Sequence, residues 1–218
     1  MFSKKFNKKF LQLYNRARLR NKDFTIIANT CIGGILSHEL NLKFLSPTVN
    51  VGVFNNEEFF TLCQHLKYYM TLEHELIGPT PDNHFYNTKL HGEYGDITFT
   101  FGHFNSVNEI TQQWEKRKKR INYNNIFIIM DGDNCSDRIV GEFNNLPYKN
   151  KVIITKKAYP DNPSVFAITN PNYHKGDILK YGLMNESARW FELFDYVHFF
   201  NTGNIRTNVL FRHYQKAK

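Results

Sequence analysis

Apolar residues fall along this chain in short clusters whose spacing switches between the strand period and the helical one. Phe24–Ala28 is a compact apolar run containing the β-branched pair Ile26-Ile27, the pattern of a buried strand. Gly33 and Gly34 punctuate it, and Ile35, Leu36, Leu40 and Leu42 follow at roughly helical intervals. Thr48–Val53 reads as a short strand after Ser46-Pro47. Asn55 or Asn56 then caps a helix that carries Glu57 and Glu58 in its first turn and Phe59, Phe60, Leu62, Leu66 and Tyr69 along its length. Residues 77–95, rich in Gly, Pro, Asn and His, read as a long loop. Beyond it the pattern predicts a strand at Asp96–Phe101, a helix at Val107–Ile121, a buried strand at Asn125–Met130 and a helix at Asp137–Leu146. Strands at Lys151–Thr155 and Val165–Thr169, a helix at Tyr181–Phe194 and an extended Tyr196–Phe200 complete the series.

Strands that alternate with helices at this spacing imply an α/β protein with a mainly parallel, Rossmann-like sheet and helices on both faces. The simplest organisation is a basic N-terminal helix over residues 1–21, an α/β domain over 22–204 and a tail over 205–218. Two small α/β lobes joined near residue 95 are the alternative.

Charge changes the picture at one place. The first 20 residues hold seven Lys or Arg and no acidic residue, against a net charge of +8 for all 218 residues. The remaining body, with 21 basic and 20 acidic residues, is close to neutral, which argues against a nucleic-acid groove and nucleic-acid partners. Within the arm Phe2, Phe6, Phe10, Leu13 and Ala17 recur at intervals of 4, 4, 3 and 4, a helical stripe flanked by cations. Such a helix can lie on an anionic membrane surface through residues 1–20, or it can pack its stripe on the protein's own body. It lacks the uninterrupted apolar core of a signal peptide, and no later segment offers the ~18 apolar residues of a spanning helix.

Three cysteines without CxxC or CxxH spacing argue against a disulfide framework or structural zinc site and favour a reducing compartment. Aromatic residues make up 16% of the chain, a high share much of which belongs to the core, and tyrosine-rich clefts also suit the C–H faces of sugar rings.

Candidate chemistry gathers at strand ends. Asn29, Thr30 and Cys31 sit between the first strand and the helix opened by Gly33 and Gly34, where ligands bind in open α/β sheets and free N–H groups favour anions. There Asn29, Gly33 and Gly34 are candidate ligand contacts. Cys31 is a candidate nucleophile, since a helix N-terminus can lower a thiol's pKa, or it is packed lining. His103 ends another strand and can serve as a general base. The following helix carries five cations between Lys116 and Arg120, and Arg117 and Arg120 are one turn apart, spaced to hold a phosphate or to form a solvated face. Asp131-Gly132-Asp133 follows a strand directly. Two carboxylates there could share Mn²⁺ or Mg²⁺ with the diphosphate of a nucleotide-sugar, although the same residues compose ordinary turns.

Several segments together resemble a bacterial family: NTCIGG at 29–34, SPT at 46–48, LKYYM at 66–70, HF-x-S at 103–106, WEKRKKRIN at 114–122, N-x-F-I-I at 125–129 and FDYVHFFNTG at 194–203. It is the exopolysaccharide-biosynthesis domain family of unknown function nineteen-nineteen, and the resemblance runs from about Arg20 to Asn204. The YGD at Tyr94–Asp96 is shorter than the family's usual loop. Membership implies a cytoplasmic α/β protein associated with capsule, exopolysaccharide or lipooligosaccharide synthesis, and supplies no reaction.

Two function classes follow. The first is a transferase acting on a surface glycan or its lipid-linked precursor at the cytoplasmic membrane face. Glycosyl transfer from a nucleotide-linked donor would use the Asp131/Asp133 metal, whereas acyl or phosphoryl-alcohol transfer would centre on Cys31 and His103. The second is a non-catalytic glycan- or nucleotide-binding accessory protein of a polysaccharide assembly complex.

Overall fold

The computed structural model describes residues 4–80, 85–104, 106–170 and 189–215. Its centre is a four-stranded, wholly parallel sheet in the order β1 (Thr25–Ala28), β6 (Ile126–Asp131), β7 (Asn150–Thr155) and β8 (Val165–Ala167). Side chains of successive strand residues point to opposite faces, and here both faces are covered. Ile27, Ile128, Met130 and Ile153 pack with Phe59, Phe99, Phe101, Trp114 and Phe143. Ile26, Phe127, Ile129 and Val152 pack on the other side with Leu36, Trp190, Phe194, Phe199 and Phe200. Continuous apolar runs such as NIFIIM are the consequence.

Between β1 and β6 the chain makes α2 (Ile32–Glu39), then a second sheet, then α5 (Val107–Lys118). The second sheet is antiparallel, with β2 (Val51–Gly52), β5 (Ile97–Gly102), β4 (Phe85–Leu90) and β3 (Glu75–Pro79) in that spatial order. Helices α3 (Asn56–Gln64) and α4 (Leu66–Tyr69) connect β2 to β3. Asn55 caps α3 by accepting from the Glu57 and Glu58 amides, as its sequence suggests. Helix α6 (Asp137–Phe143) joins β6 to β7, and α7 (Tyr196–Thr202) packs on the opposite face.

Four expectations need correction. Residues 77–95 are not one loop: β3 and β4 fall within or across them. Glycine, proline and a register shift between Leu76 and Gly78 disguise β3, and pairing with β5 over its whole length, Phe85↔Gly102 to Leu90↔Ile97, makes β4. The 96–101 strand is right in place but belongs to the antiparallel sheet. Tyr196–Phe200 is a helix, because Asp195 accepts from the His198 amide at its start and Gly203 adopts φ 78° at its end. Those caps outweigh the strand preference of an aromatic run. Of the helix predicted at Tyr181–Phe194, residues 181–188 lie outside the described residues, and Trp190–Glu192 forms a single 3₁₀ turn.

The N-terminal helix α1 (Lys4–Arg18) docks by its polar side. Buried Asn15 donates to the Tyr196 hydroxyl (2.7 Å), Arg16 Nε donates to the Glu39 carbonyl (2.7 Å), and Arg18 Nη2 donates to both oxygens of buried Asp195 (2.9 and 2.7 Å). The predicted tail is also attached: Arg206 reaches Asp195 at 2.7 Å, and Gln215 Nε2 donates to the Ala167 carbonyl on β8. Beneath α1, Arg189 is enclosed between Glu39 and Glu192, with Nη–Oε distances of 2.8 and 2.6 Å to the first and 2.5 Å to the second. Among the described residues no helix is long and apolar enough to cross a membrane.

Candidate functional site

β1 and β6 end side by side, and the next residue on β1 locks them together. The Asn29 amide Nδ2 donates to the Asp131 carbonyl (3.0 Å) while the Asp131 N–H donates to Asn29 Oδ1 (2.8 Å). A side chain thus continues the backbone ladder for one further step, at a position that is 3% exposed. The Asn29 carbonyl in turn accepts from Val53 N–H at 3.0 Å, which draws the antiparallel sheet against the parallel one.

The two sheets leave between them a cavity of about 560 Å³. The parallel sheet contributes Asn29, Thr30, Cys31, Asp131 and Asn134; the other side contributes Asn50, Phe54, Asn56, Phe85, Thr100 and His103. A polar depression of about 510 Å³ at the opposite, N-terminal end of the parallel sheet is lined by several asparagines. Some of those amides are already engaged with one another, as Asn125 is with Asn21 at 3.3 Å. The cleft at the C-terminal edge is the better candidate, since that is where α/β sheets place ligands.

Cys31, Asn29, His103 and Asp131 therefore share one cleft, although His103 comes from the second sheet. His103 adopts φ 63°, a left-handed conformation that costs a non-glycine residue energy and recurs at functional sites; Asn50 in the same cleft adopts φ 56°. Cys31 precedes the first turn of α2, and its side chain makes no capping hydrogen bond. Partial burial pushes its thiol up, against a smaller downward pull from its own backbone N–H, so the group is a neutral thiol at pH 7. That state suits a lining residue, not a standing nucleophile.

Gly33 and Gly34 stand behind the cleft and allow close packing. A Cβ on Gly33 would meet Ile26 Cγ2 at 3.4 Å, and one on Gly34 would meet Val49 Cγ1 at 3.3 Å. Arg117 and Arg120 lie outside the cleft. Arg117 Nη1 donates to the Val49 carbonyl (2.6 Å) and its guanidinium lies over the Phe104 ring, which supports the cleft wall from behind. Burial, with the charge of Arg120 next to it, pulls the Arg117 pKa down. Arg120 is exposed at the end of α5.

The Asp131-Gly132-Asp133 pair diverges. Asp131 lines the cleft, but Asp133 lies 3.6 Å from Lys156 Nζ. Gly132 is required by packing, because a Cβ there would lie 2.5 Å from Ile153 Cγ1. Among the described residues no three His, Cys, Asp or Glu side chains group as a metal site.

The aromatic wall escaped the sequence reading. The Phe54 ring occupies the space where a Gly52 Cβ would project, 2.6 Å away, and the Phe85 ring does the same at Gly102, 2.9 Å away. Phe85 and Gly102 are cross-strand partners. The available signal was a glycine at the end of each of two short strands, Gly52 in β2 and Gly102 in β5, where another group can approach closely. Both rings remain solvent-exposed at the cleft mouth.

The chain matches the family model described as "Domain of unknown function (DUF1919)" over residues 2–201, and it belongs to that family. It is also 30% identical over 197 residues to a protein of Haemophilus influenzae (strain ATCC 51907 / DSM 11121 / KW20 / Rd) described as "Uncharacterized protein". That alignment covers 88% of this chain and 91% of the relative.

Proposed function

We propose that the chain is a transferase of bacterial surface-glycan synthesis, of the exopolysaccharide, capsule or lipooligosaccharide type, and that the cleft receives a sugar unit. One observation carries this reading: the described lining combines the amides of Asn50, Asn56 and Asn134, one carboxylate and two exposed phenyl rings, with no Lys or Arg among them, while the Asn29 amide holds the strand ends beneath. Planar amides and a carboxylate offer paired donors and acceptors that match vicinal hydroxyls, and aromatic rings cover the C–H face of a pyranose. A diphosphate would call for cations at that surface. The nucleotide part of a donor is thus not what these residues recognise.

Asp131 is the group to accept a proton from an acceptor hydroxyl as that oxygen attacks the donor, with His103 at the opposite wall to deliver one to the leaving group. Cys31 serves as lining. The metal-dependent route is disfavoured because Asp133 turns to Lys156.

Ligand-observed NMR with hexoses and N-acetylhexosamines tests the binding step against uridine diphosphate. Sugar signals should be saturated by the protein, and Phe54→Ala should weaken them about tenfold, as loss of one stacking ring is worth roughly 1.4 kcal/mol. Binding of the nucleotide without any sugar would sink the proposal. In cells lacking the gene, Asp131→Asn should fail to restore surface-glycan composition, since loss of a general base costs about a hundredfold or more in rate. Full restoration by Asp131→Asn alongside retained sugar binding would leave a non-catalytic accessory role in its place.

A further inference from the structure

A helix on a water-soluble surface ordinarily turns its apolar stripe inward. α1 does the reverse. The side that meets the body is mostly polar: Asn15, Arg16 and Arg18 are held by hydrogen bonds and ion pairs and Lys8 Nζ lies 3.4 Å from Glu39, while half-buried Leu11 and, just past the helix, core residue Leu19 are its apolar share. Of the predicted stripe, Phe2 lies outside the described residues, as does the side chain of Phe6. The other three all face outward: Phe10 is 63% exposed, Leu13 is 54% exposed, and Ala17 is exposed.

Cations border this stripe. Lys9 and Arg20 are exposed beside it, and the helix from Lys4 to Arg18 contains no acidic residue. At its C-terminal end, next to Ala17, a cavity of about 510 Å³ is lined by Arg18, Arg20, His198 and Arg206. Arg18 and Arg206 share the single buried carboxylate of Asp195, so that group retains a positive charge, to which Arg20 adds a second. Burial and the neighbouring Arg206 and Arg18 pull His198 down against the opposing pull of Asp195, which keeps it neutral at pH 7.

We infer that α1 is an in-plane membrane anchor, its Phe10–Leu13–Ala17 face sinking among the acyl chains of an anionic bilayer while Lys9, Arg20 and the Arg18/Arg206 cavity hold lipid headgroups. Charge complementarity selects this occupant: an apolar stripe fringed by cations, free of acidic residues, matches the headgroup–acyl boundary of anionic lipid. At 15 residues α1 is about 22 Å long, short of the ~30 Å hydrocarbon core, so it lies in the interface and does not span. The polar docking contacts fix the body's orientation on that surface. This inference is independent of what the cleft binds.

Vesicle co-sedimentation of the full chain tests it, with vesicles of phosphatidylcholine carrying about 30% phosphatidylglycerol and with phosphatidylcholine alone. Binding should require the anionic lipid and weaken as salt is raised. Phe10→Ser with Leu13→Ser should reduce partitioning at least tenfold, and Lys9→Ser with Arg20→Ser about tenfold or more. Thermal melting should stay unchanged in both pairs, because all four side chains point to solvent. No binding of the unaltered chain to anionic vesicles would overturn the assignment, as would equal binding by Phe10→Ser/Leu13→Ser. Self-association abolished by that same pair, without vesicle binding, would assign the face to a second copy of this chain instead.

Discussion

Replacing Arg189 with alanine is expected to cost about 3–5 kcal/mol of folding stability, a drop in melting temperature on the order of 10 °C for a chain of this size. The guanidinium is 8% exposed and spans Glu39 on α2 and Glu192 in the 3₁₀ turn. Its removal would leave two enclosed carboxylates facing each other, and orphaned buried charge, more than lost attraction, dominates the cost. A triple replacement, Arg189→Met with Glu39→Leu and Glu192→Leu, should therefore recover most of the loss. Urea denaturation measures both, and a loss under about 1 kcal/mol for Arg189→Ala would show that water reaches the site.

The same network gives the protein an acid limit. Burial pushes the Glu39 carboxyl up, but the hydrogen bonds and charge of Arg189, helped by Lys8, more than offset it and hold it below its ordinary value. Asp195 is held low likewise, burial being outweighed by Arg206, Arg18 and the His198 N–H. A carboxylate with a depressed folded pKa binds fewer protons in the folded state than in the unfolded one. Its contribution is complete above the unfolded values of about 4.3 for Glu and 3.9 for Asp, and is lost as pH falls through the lower folded values. Stability from these groups should hold level from about pH 5 to 8 and fall below about pH 4, as denaturation series at each pH will register.

The second large effect is expected at Asn29. Asn29→Ala would strip partners from the Asp131 N–H and carbonyl at once, at a cost of about 2–4 kcal/mol, the lower figure applying where cleft water takes over one of them. Asn29→Asp keeps the shape but sets a carboxylate oxygen against a carbonyl, so it should destabilise at least as much. Because the clip fixes the Asp131 backbone, hydrogen exchange at the Asp131 amide should accelerate in both variants before global unfolding does. Unchanged exchange there would show that the strand ends are held by something else.

Sequence alone determined the elements whose information is local. The runs around Ile26, Ile128 and Ile153 are apolar on both sides because a covered parallel sheet needs both, and the Asn55 cap with Glu57 and Glu58 announces α3 from three adjacent residues. The junctions at Cys31 and Asp131 were equally legible, since a strand end followed by a turn is a local pattern. Tertiary structure decided the rest, wherever the deciding partner is distant along the chain. β4 exists because β5 pairs with it, against its own loop-like composition, and that pairing moves His103 from the parallel sheet to the facing wall of the cleft. The phenyl wall depends on rings folding over Gly52 and Gly102; the sequence marks the two glycines but not which rings cover them. The outward face of α1 is the clearest case. Its stripe fixes an amphipathic helix, but which side meets the body is set by Asp195, Tyr196 and Glu39, and a stripe cannot say which of its two sides finds the stronger partners.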